Sequence, residues 1–282
     1  MINKIKNAVV DMNSKVVFIK KPRHYETLDG KWLQGVSTVS SIIPKEWLSA
    51  WGAKEAVKFL GYSDYAGDTA KASEMMARIK DLATPEAFIE LLKEAKGASG
   101  RKSKTALVDG KAGHAWLEEY VKAEINKSKP PLIPEGALSR PINQFLDWAG
   151  ENIKEWILSE ALVAYPEKGY AGTLDGMAIM ATGKLALIDF KFASHLSEDY
   201  WLQTAGYSAC FEPYGIKVDD RVIIRLPKTL EREEFDDKKW VYYMVPNNIE
   251  VEIVKTNYEL DRDTFFHCLP VKQWINAVTK DK

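Results

Sequence analysis

The five residues Met180-Ala-Thr-Gly-Lys184, set between two β-prone runs, constrain this chain more than any other stretch. They predict a three-residue hairpin loop, Ala181 to Gly183, with glycine at the last loop position, where a left-handed backbone is needed. Such a loop pairs Met180 with Lys184. Counted back along both arms, the same register sets Asp175 opposite Asp189, each seven residues from Thr182. Opposed residues share one face of a sheet, with Cβ atoms about 4.5–5.5 Å apart. Lys191, two residues beyond Asp189, projects from that face too, because strand side chains alternate with period two. Opposed like charges are destabilising unless neutralised, and a divalent cation with a lysine would neutralise them. The preceding Leu185-Ala-Leu-Ile188 reads as a buried strand, which sets Asp189 at the end of a core element.

Two converging carboxylates beside an ammonium suit phosphodiester hydrolysis. That reaction needs charge stabilised on the scissile phosphate, a deprotonated water and a ligated leaving oxygen, and hard oxygen ligands holding magnesium or manganese serve all three. The bland alternative is two surface aspartates with Lys191 as their salt-bridge partner, since Asp-x-Lys occurs by chance in most proteins.

The surrounding pattern predicts an α/β fold. Residues 158–165, 170–180 and 184–192 read as strands, 199–212 as a helix, and 221–226 and 240–245 as further strands, a central mixed sheet flanked by helices. Upstream, residues 15–20 and 31–43 read as two strands around a Leu28-Asp29-Gly30 turn, an N-terminal β-hairpin. From Pro44 to about Ala95 the periodicity predicts two or three helices, broken near 61–67 and at Thr84-Pro85. Residues 96–105 are polar, basic and glycine-containing and predict a mobile loop before a helix at about 108–125; another helix follows at about 140–156. Residues 257–278 predict terminal helical segments broken at Pro270. Two regions result: 1–106, the hairpin plus a helical lid or DNA-gripping region, and 107–282, the catalytic core.

Composition narrows the class. With 39 basic against 40 acidic residues, any nucleic-acid contact must come from local patches or metal. Two cysteines, Cys210 and Cys268, exclude a disulfide framework and a four-cysteine zinc or iron–sulfur site made by this chain alone. No apolar run approaches the roughly 18 residues of a membrane span, and the first ten residues hold too short a run for a signal peptide, so a soluble cytoplasmic protein without membrane contact is expected. No glycine-rich phosphate loop supports an ATP-driven helicase.

Gly172-Thr-Leu-Asp175, Asp189-Phe-Lys191 and Gln203-x-x-x-Tyr207, in that order, resemble the RecB-like branch of the PD-(D/E)XK nucleases. Gly110-Lys-Ala-Gly-His114-Ala-Trp-Leu-Glu118 is similar to the histidine-bearing helix motif of that branch, and the resemblance spans about 107–226. It implies a restriction-endonuclease-like core and a DNA substrate, single-stranded or a duplex end. Asp175, Asp189, the Phe190 carbonyl and His114 are then ligands for one or two Mg2+ or Mn2+ ions, and Lys191 is the catalytic lysine. Gln203 and Tyr207, four apart on one helix face, would reach the lysine, the aspartates or a phosphate; alone they read equally as a partly buried face. Glu160 resembles a family acidic position that orients another ligand, or is a surface glutamate. Ser194 is a further candidate for phosphate contact.

The lack of four cysteines separates this chain from cluster-bearing members, while its compact size, the early Val36-Ser-Thr-Val-Ser-Ser-Ile42 segment and the absent helicase motifs resemble stand-alone phage or bacterial exonucleases and the mitochondrial genome-maintenance exonuclease. The expectation is therefore a DNA exonuclease of recombination, replication or repair, with a recombination or replication protein as possible partner. A single-strand or structure-specific endonuclease fits the same motifs, and a non-catalytic nucleic-acid-binding module fits the same fold. Lys96, Arg101, Lys102, Lys104 and Lys111 are candidates to grip phosphates, with a solvated linker as the alternative for 96–104. Trp47 and Trp51 are either stacking platforms for bases or core residues.

Overall fold

The computed structural model describes residues 1–63, 69–193, 196–226, 230–236, 239–245 and 249–279, with 105–106, 109, 230–236 and 239–245 as backbone alone. The chain divides into two units, one of Met1–Ile43, Ala112–Thr229 and Pro246–Lys282, the other of Pro44–Lys111 and Leu230–Val245. The first 43 residues thus belong with the core, where a boundary near 106 was expected. Pairing within the first unit explains this, as shown below.

In chain order the elements begin with α1 (Ile2–Asn13), β1 (Val16–Lys20), β2 (Arg23–Thr27), β3 (Trp32–Gly35) and α2 (Val36–Ser40). Next come α3 (Trp47–Phe59), α4 (Ala70–Lys80), α5 (Pro85–Lys96), α6 (Ala98–Asn126) and α7 (Ser139–Asn152). The remainder is β4 (Ile153–Tyr165), β5 (Tyr170–Met180), β6 (Leu185–Lys191), α8 (Asp199–Ala209), β7 (Asp220–Arg225), β8 (Leu230–Asp236), β9 (Lys239–Val245), β10 (Glu250–Ile253) and α9 (Tyr258–Thr279).

In the first unit, the sheet runs β1-β2-β3-β5-β6-β7-β10, with β4 paired to β5 off that path. It is mixed: β3 with β5 and β6 with β7 are parallel, the other pairs antiparallel. Because β3 joins β5 at Gln34↔Tyr170, the N-terminal strands extend the central sheet. Strand β6 is buried along both faces, and its side chains divide between two apolar clusters: Leu185 and Leu187 in one, Ala186, Ile188 and Phe190 in the other. The first cluster is completed from α1, α2, α8 and α9 by Ile5, Met12, Val36, Tyr207 and Phe265, the second from α6 and α7 by Leu117, Val121, Ile142 and Phe145. The result is a central mixed α/β sheet covered by helices. Among the described residues no helix is long and apolar enough to cross a membrane.

Several expected elements differ. Residues 2–13 form α1, whose Ile5, Ala8, Val9 and Met12 make one buried stripe at helical spacing. The expected strand 31–43 is the short β3 followed by α2, since Val36, Val39 and Ser40 are buried at a helical period that overrides their β-propensity. The expected loop 96–105 is helical. Gly97 ends α5, and α6 starts at the next residue. Strand β9 pairs with β8 in the second unit, and it is β10 that lies beside β7. α9 continues through Pro270 as one helix.

In the second unit, the expected break at Thr84-Pro85 is present: Thr84 caps α5 by accepting from the Ala87 N–H at 3.2 Å, with Pro85 in the first turn. Of the expected break near 61–67, residues 64–67 lie outside the described residues.

Candidate active site

The β5–β6 hairpin has the register that its loop implies. Gly183 takes φ +85°, the Met180 N–H donates to the Lys184 carbonyl at 2.9 Å, and Gly176↔Ile188 through Ile179↔Leu185 pair in step. One step further in this register are Asp175 and Asp189. The Phe190 N–H donates to Asp175 Oδ2 at 2.8 Å, which gives one of the two carboxylates a backbone partner.

Asp189 is only 1% exposed. Its Oδ2 lies 2.6 Å from Lys191 Nζ, close enough for an ion pair, yet neither carboxylate oxygen has a partner in hydrogen-bonding orientation. The distance establishes attraction, and the missing orientation leaves both oxygens unsatisfied as acceptors. Burial is the largest influence on the Asp189 carboxyl and holds it up at about 6, against the pull of Lys191. Asp175 is raised as well, by burial first. Lys191 is raised, because the two carboxylates outweigh the burial that would lower it.

Helix α8 brings the next layer. Lys191 Nζ donates to Gln203 Oε1 at 3.1 Å, and Gln203 Nε2 donates to the Tyr207 hydroxyl at 3.2 Å. Tyr200 turns its ring to the same ammonium, 4.7 Å from Nζ to the centroid. Tyr200, Gln203 and Tyr207 stand at i, i+3 and i+7, one face of the helix. Tyr200 was not singled out from sequence, although this spacing carried the signal. Gly172 is required beneath Tyr207: a Cβ there would lie 2.6 Å from Cε1 of that ring.

From the other helical layer, α6 presents His114, with Nδ1 3.9 Å from Asp175 Oδ2 and its ring edge-on to Phe192 at 5.3 Å. Burial first, then Lys191, lowers the His114 pKa, which favours the neutral imidazole. Gly113 permits this approach, because a Cβ there would fall 2.1 Å from Phe192 Cζ. Glu160 holds the place opposite Asp175 in the β4–β5 register, between the Ser159↔Gly176 and Ala161↔Leu174 pairs. Its backbone is left-handed at φ +45°, rare for a non-glycine residue. Burial, Asp175 and Glu118 together push its carboxyl up to about 8. Arg225, level with Lys191 on β7, is another residue that sequence did not reveal: its Nε donates to Glu250 Oε2 at 2.5 Å and its Nη1 to the Ala193 carbonyl at 3.4 Å.

The structure therefore gathers His114, Glu160, Asp175, Asp189, Phe190, Lys191, Gln203 and Tyr207. Ser194 lies outside the described residues. The basic segment is committed within its own unit: Arg101 donates to the Glu94 carbonyl at 2.8 Å and lies over Phe59, and Lys102 pairs with the buried Glu55 at 2.5 Å. Lys96 is the last residue of α5, while Lys104 and Lys111 are exposed on α6. Trp47 is 44% exposed and Trp51 half-buried, so neither is a fully enclosed core residue.

Among the described residues no group of three or more His, Cys, Asp or Glu side chains is arranged to hold a metal ion. A Mg2+-type site asks for less. Magnesium keeps several waters and is commonly bound through one or two carboxylates. Asp189, buried with unsatisfied oxygens, meets that requirement with Asp175 and the Phe190 carbonyl as hard oxygen donors beside it.

No family model matches the chain, and no curated protein matches it. Among solved structures, one described as the crystal structure of SSO0001 is 10% identical, covering 82% of this chain and 87% of that one with a TM-score of 0.27. That likeness bears on neither fold nor function.

Proposed function

We propose that this chain is a divalent-metal-dependent DNA exonuclease that hydrolyses phosphodiester bonds, built on a restriction-endonuclease-like core of the PD-(D/E)XK, RecB-like kind. The observation that carries the reading is Asp189: a carboxylate 1% exposed, with unsatisfied oxygens, set beside Asp175 by the hairpin register and 2.6 Å from Lys191. A buried carboxylate compensated by one ammonium alone is still costly, and such sites are where perturbed carboxyls cluster for chemistry. Exonuclease action in phage or bacterial recombination, replication or repair rests on the sequence resemblance.

Asp175, Asp189 and the Phe190 carbonyl would hold Mg2+ or Mn2+, which when bound supplies Lewis-acid charge at the scissile phosphate and makes a water acidic enough to attack. Lys191 sets a compact positive charge where negative charge grows on the phosphate. Gln203 fixes the direction of that ammonium, and Tyr207 fixes Gln203. Tyr200 covers the ammonium with its ring face, a favourable place for a cation. His114, favoured neutral, keeps a lone pair for a ligand or a proton.

A circular plasmid and a matched linear fragment, each incubated with Mg2+, Mn2+ or EDTA, test the reading. Degradation of the linear DNA from its ends, dependent on metal, is expected, with the circle left intact. Equal cutting of the circle would replace exonuclease by endonuclease. Intact DNA in every reaction would reject the nuclease reading.

A further inference from the structure

The β1–β2 hairpin carries a second group of charges that the proposed chemistry does not use. Lys20-Lys21-Pro22-Arg23 sets three cations within four residues, and Lys20 pairs directly with Arg23 across the strands. All three are exposed, and none forms an ion pair among the described residues. Three exposed cations on one turn make an anion the ligand that this turn fits.

The position of the hairpin decides which anion. On the face of Lys20 and Arg23 lie Phe18 and Tyr25, paired in register with ring centroids 5.0 Å apart, and the Arg23 guanidinium sits over Phe18 at 5.5 Å. The Tyr25 hydroxyl shares a hydrogen bond of 2.9 Å with Thr173 Oγ1. Thr173 is two residues before Asp175 on β5. Tyr25 thus ties the hairpin to the stretch of β5 that leads to Asp175, opposite which Glu160 stands. Electrostatics agree, since Arg23 acts on both Tyr25 and Glu160, lowering each carboxyl or phenol against the effect of burial. A guanidinium resting on a ring is already oriented, and its planar fork matches two phosphate oxygens.

We infer that Arg23, with Lys20 beside it, holds a phosphodiester of the substrate strand near the one being cleaved, so that the β1–β2 hairpin positions the strand over Asp175 and Asp189. The inference rests on the nuclease reading and adds a substrate contact to it.

The test uses the full chain and labelled single-stranded oligonucleotides. Binding is read by fluorescence anisotropy in EDTA across a salt series. Cleavage in Mg2+ is measured on strands that each carry one neutral methylphosphonate. Arg23→Gln should weaken binding about tenfold and lower the salt slope by about one, with Arg23→Lys recovering part of the loss. It should raise KM while kcat is nearly kept, and the melting temperature should not move. One methylphosphonate position should penalise the parent and not Arg23→Gln, because the contact is already gone. Parent-like affinity and salt slope in Arg23→Gln, or the same methylphosphonate penalties in both proteins, would overturn the assignment. A parent that binds through Arg23 in EDTA but cleaves nothing in Mg2+ or Mn2+ would reject the nuclease reading and keep the phosphate contact. A parent that neither binds nor cleaves would reject both.

Discussion

Two hairpins in this chain set like charges opposite each other, at different depths. On β1–β2 the pair is Lys20 and Arg23, both exposed. On β5–β6 it is Asp175 and Asp189, the second buried and with unsatisfied oxygens. Two unit charges about 4 Å apart interact by roughly 1 kcal/mol in water but about four times that at the effective dielectric of a protein site. An exposed conflict is nearly free to keep. A buried one persists where something compensates it, here the Phe190 N–H for Asp175 and Lys191 for Asp189, and the compensation is incomplete.

The largest effect expected from breaking this contrast is at the buried pair. Asp189→Asn or Asp175→Asn should abolish cleavage, because each removes a carboxylate donor. In EDTA at pH 8, where the carboxylates are ionised, Asp189→Asn should melt higher than the parent. A carboxyl held at about 6 is costly when charged, on the order of 3 kcal/mol, and the amide keeps its shape. Mn2+ should raise the melting temperature of the parent and not of the variant. Cleavage at the parent rate by either variant would remove the pair from the chemistry; a lower melting temperature for Asp189→Asn would mean that its attraction to Lys191 outweighs its burial.

Next comes the cation that compensates the pair. Lys191→Ala should lower kcat by roughly 10²–10³-fold with KM little changed, since its charge acts on the transition state. Lys191→Arg should not recover the rate, because the planar guanidinium does not fit the place held by Asp189 Oδ2, Gln203 Oε1 and the Tyr200 ring. Metal titration by calorimetry should show retained or tighter binding in Lys191→Ala. Parent-like single-turnover rates in that variant would leave the metal site standing and remove Lys191 from the mechanism.

The hairpin register was legible in the sequence because a single glycine at a left-handed position fixes the loop, after which partners follow by counting. Gln203 and Tyr207 were legible as a pair four apart, and Tyr200 lay on the same helix face unread. The start of α6 was misread because Gly97, Ser99, Gly100 and Ser103 lower helix propensity, while the contacts of Arg101 with Glu94 and Phe59, and of Lys102 with Glu55, are tertiary and leave no local trace. Those contacts change what mutation there should do. Lys102→Ala leaves the Glu55 carboxylate, 7% exposed, without its cation, and should destabilise the chain by about 1–2 kcal/mol in urea titration. Replacing Arg101, Lys102 and Lys104 together should alter the salt slope of DNA binding less than Arg23→Gln does; a larger change would return this segment to the role of phosphate grip.

Glu160 sharpens the contrast because it adds a third carboxylate and a strained backbone at one position. At φ +45° a glycine costs less than any side chain, so Glu160→Gly should be close to neutral in stability despite the flexibility it adds to β4. Glu160→Val should lose about 2 kcal/mol, since a β-branched residue fits that conformation worst. If valine is tolerated as well as glycine, the left-handed backbone at Glu160 is not stressed, and burial with repulsion from Asp175 and Glu118 is the whole of its cost.

The smallest effect belongs to the exposed hairpin, where two consequences of one substitution should separate. Lys20→Glu turns the opposed Lys20–Arg23 pair into an ion pair across the strands. Solvent screens both charges, so the gain in stability should stay below about 1 kcal/mol and fade at high salt. Binding of a single-stranded oligonucleotide in EDTA should nevertheless weaken, because the new carboxylate competes with phosphate for the guanidinium. A change in melting temperature as large as that of Asp189→Asn would show that depth does not set the cost of opposed charge here. Unchanged melting with unchanged binding would show that this turn carries its three cations without a use for them.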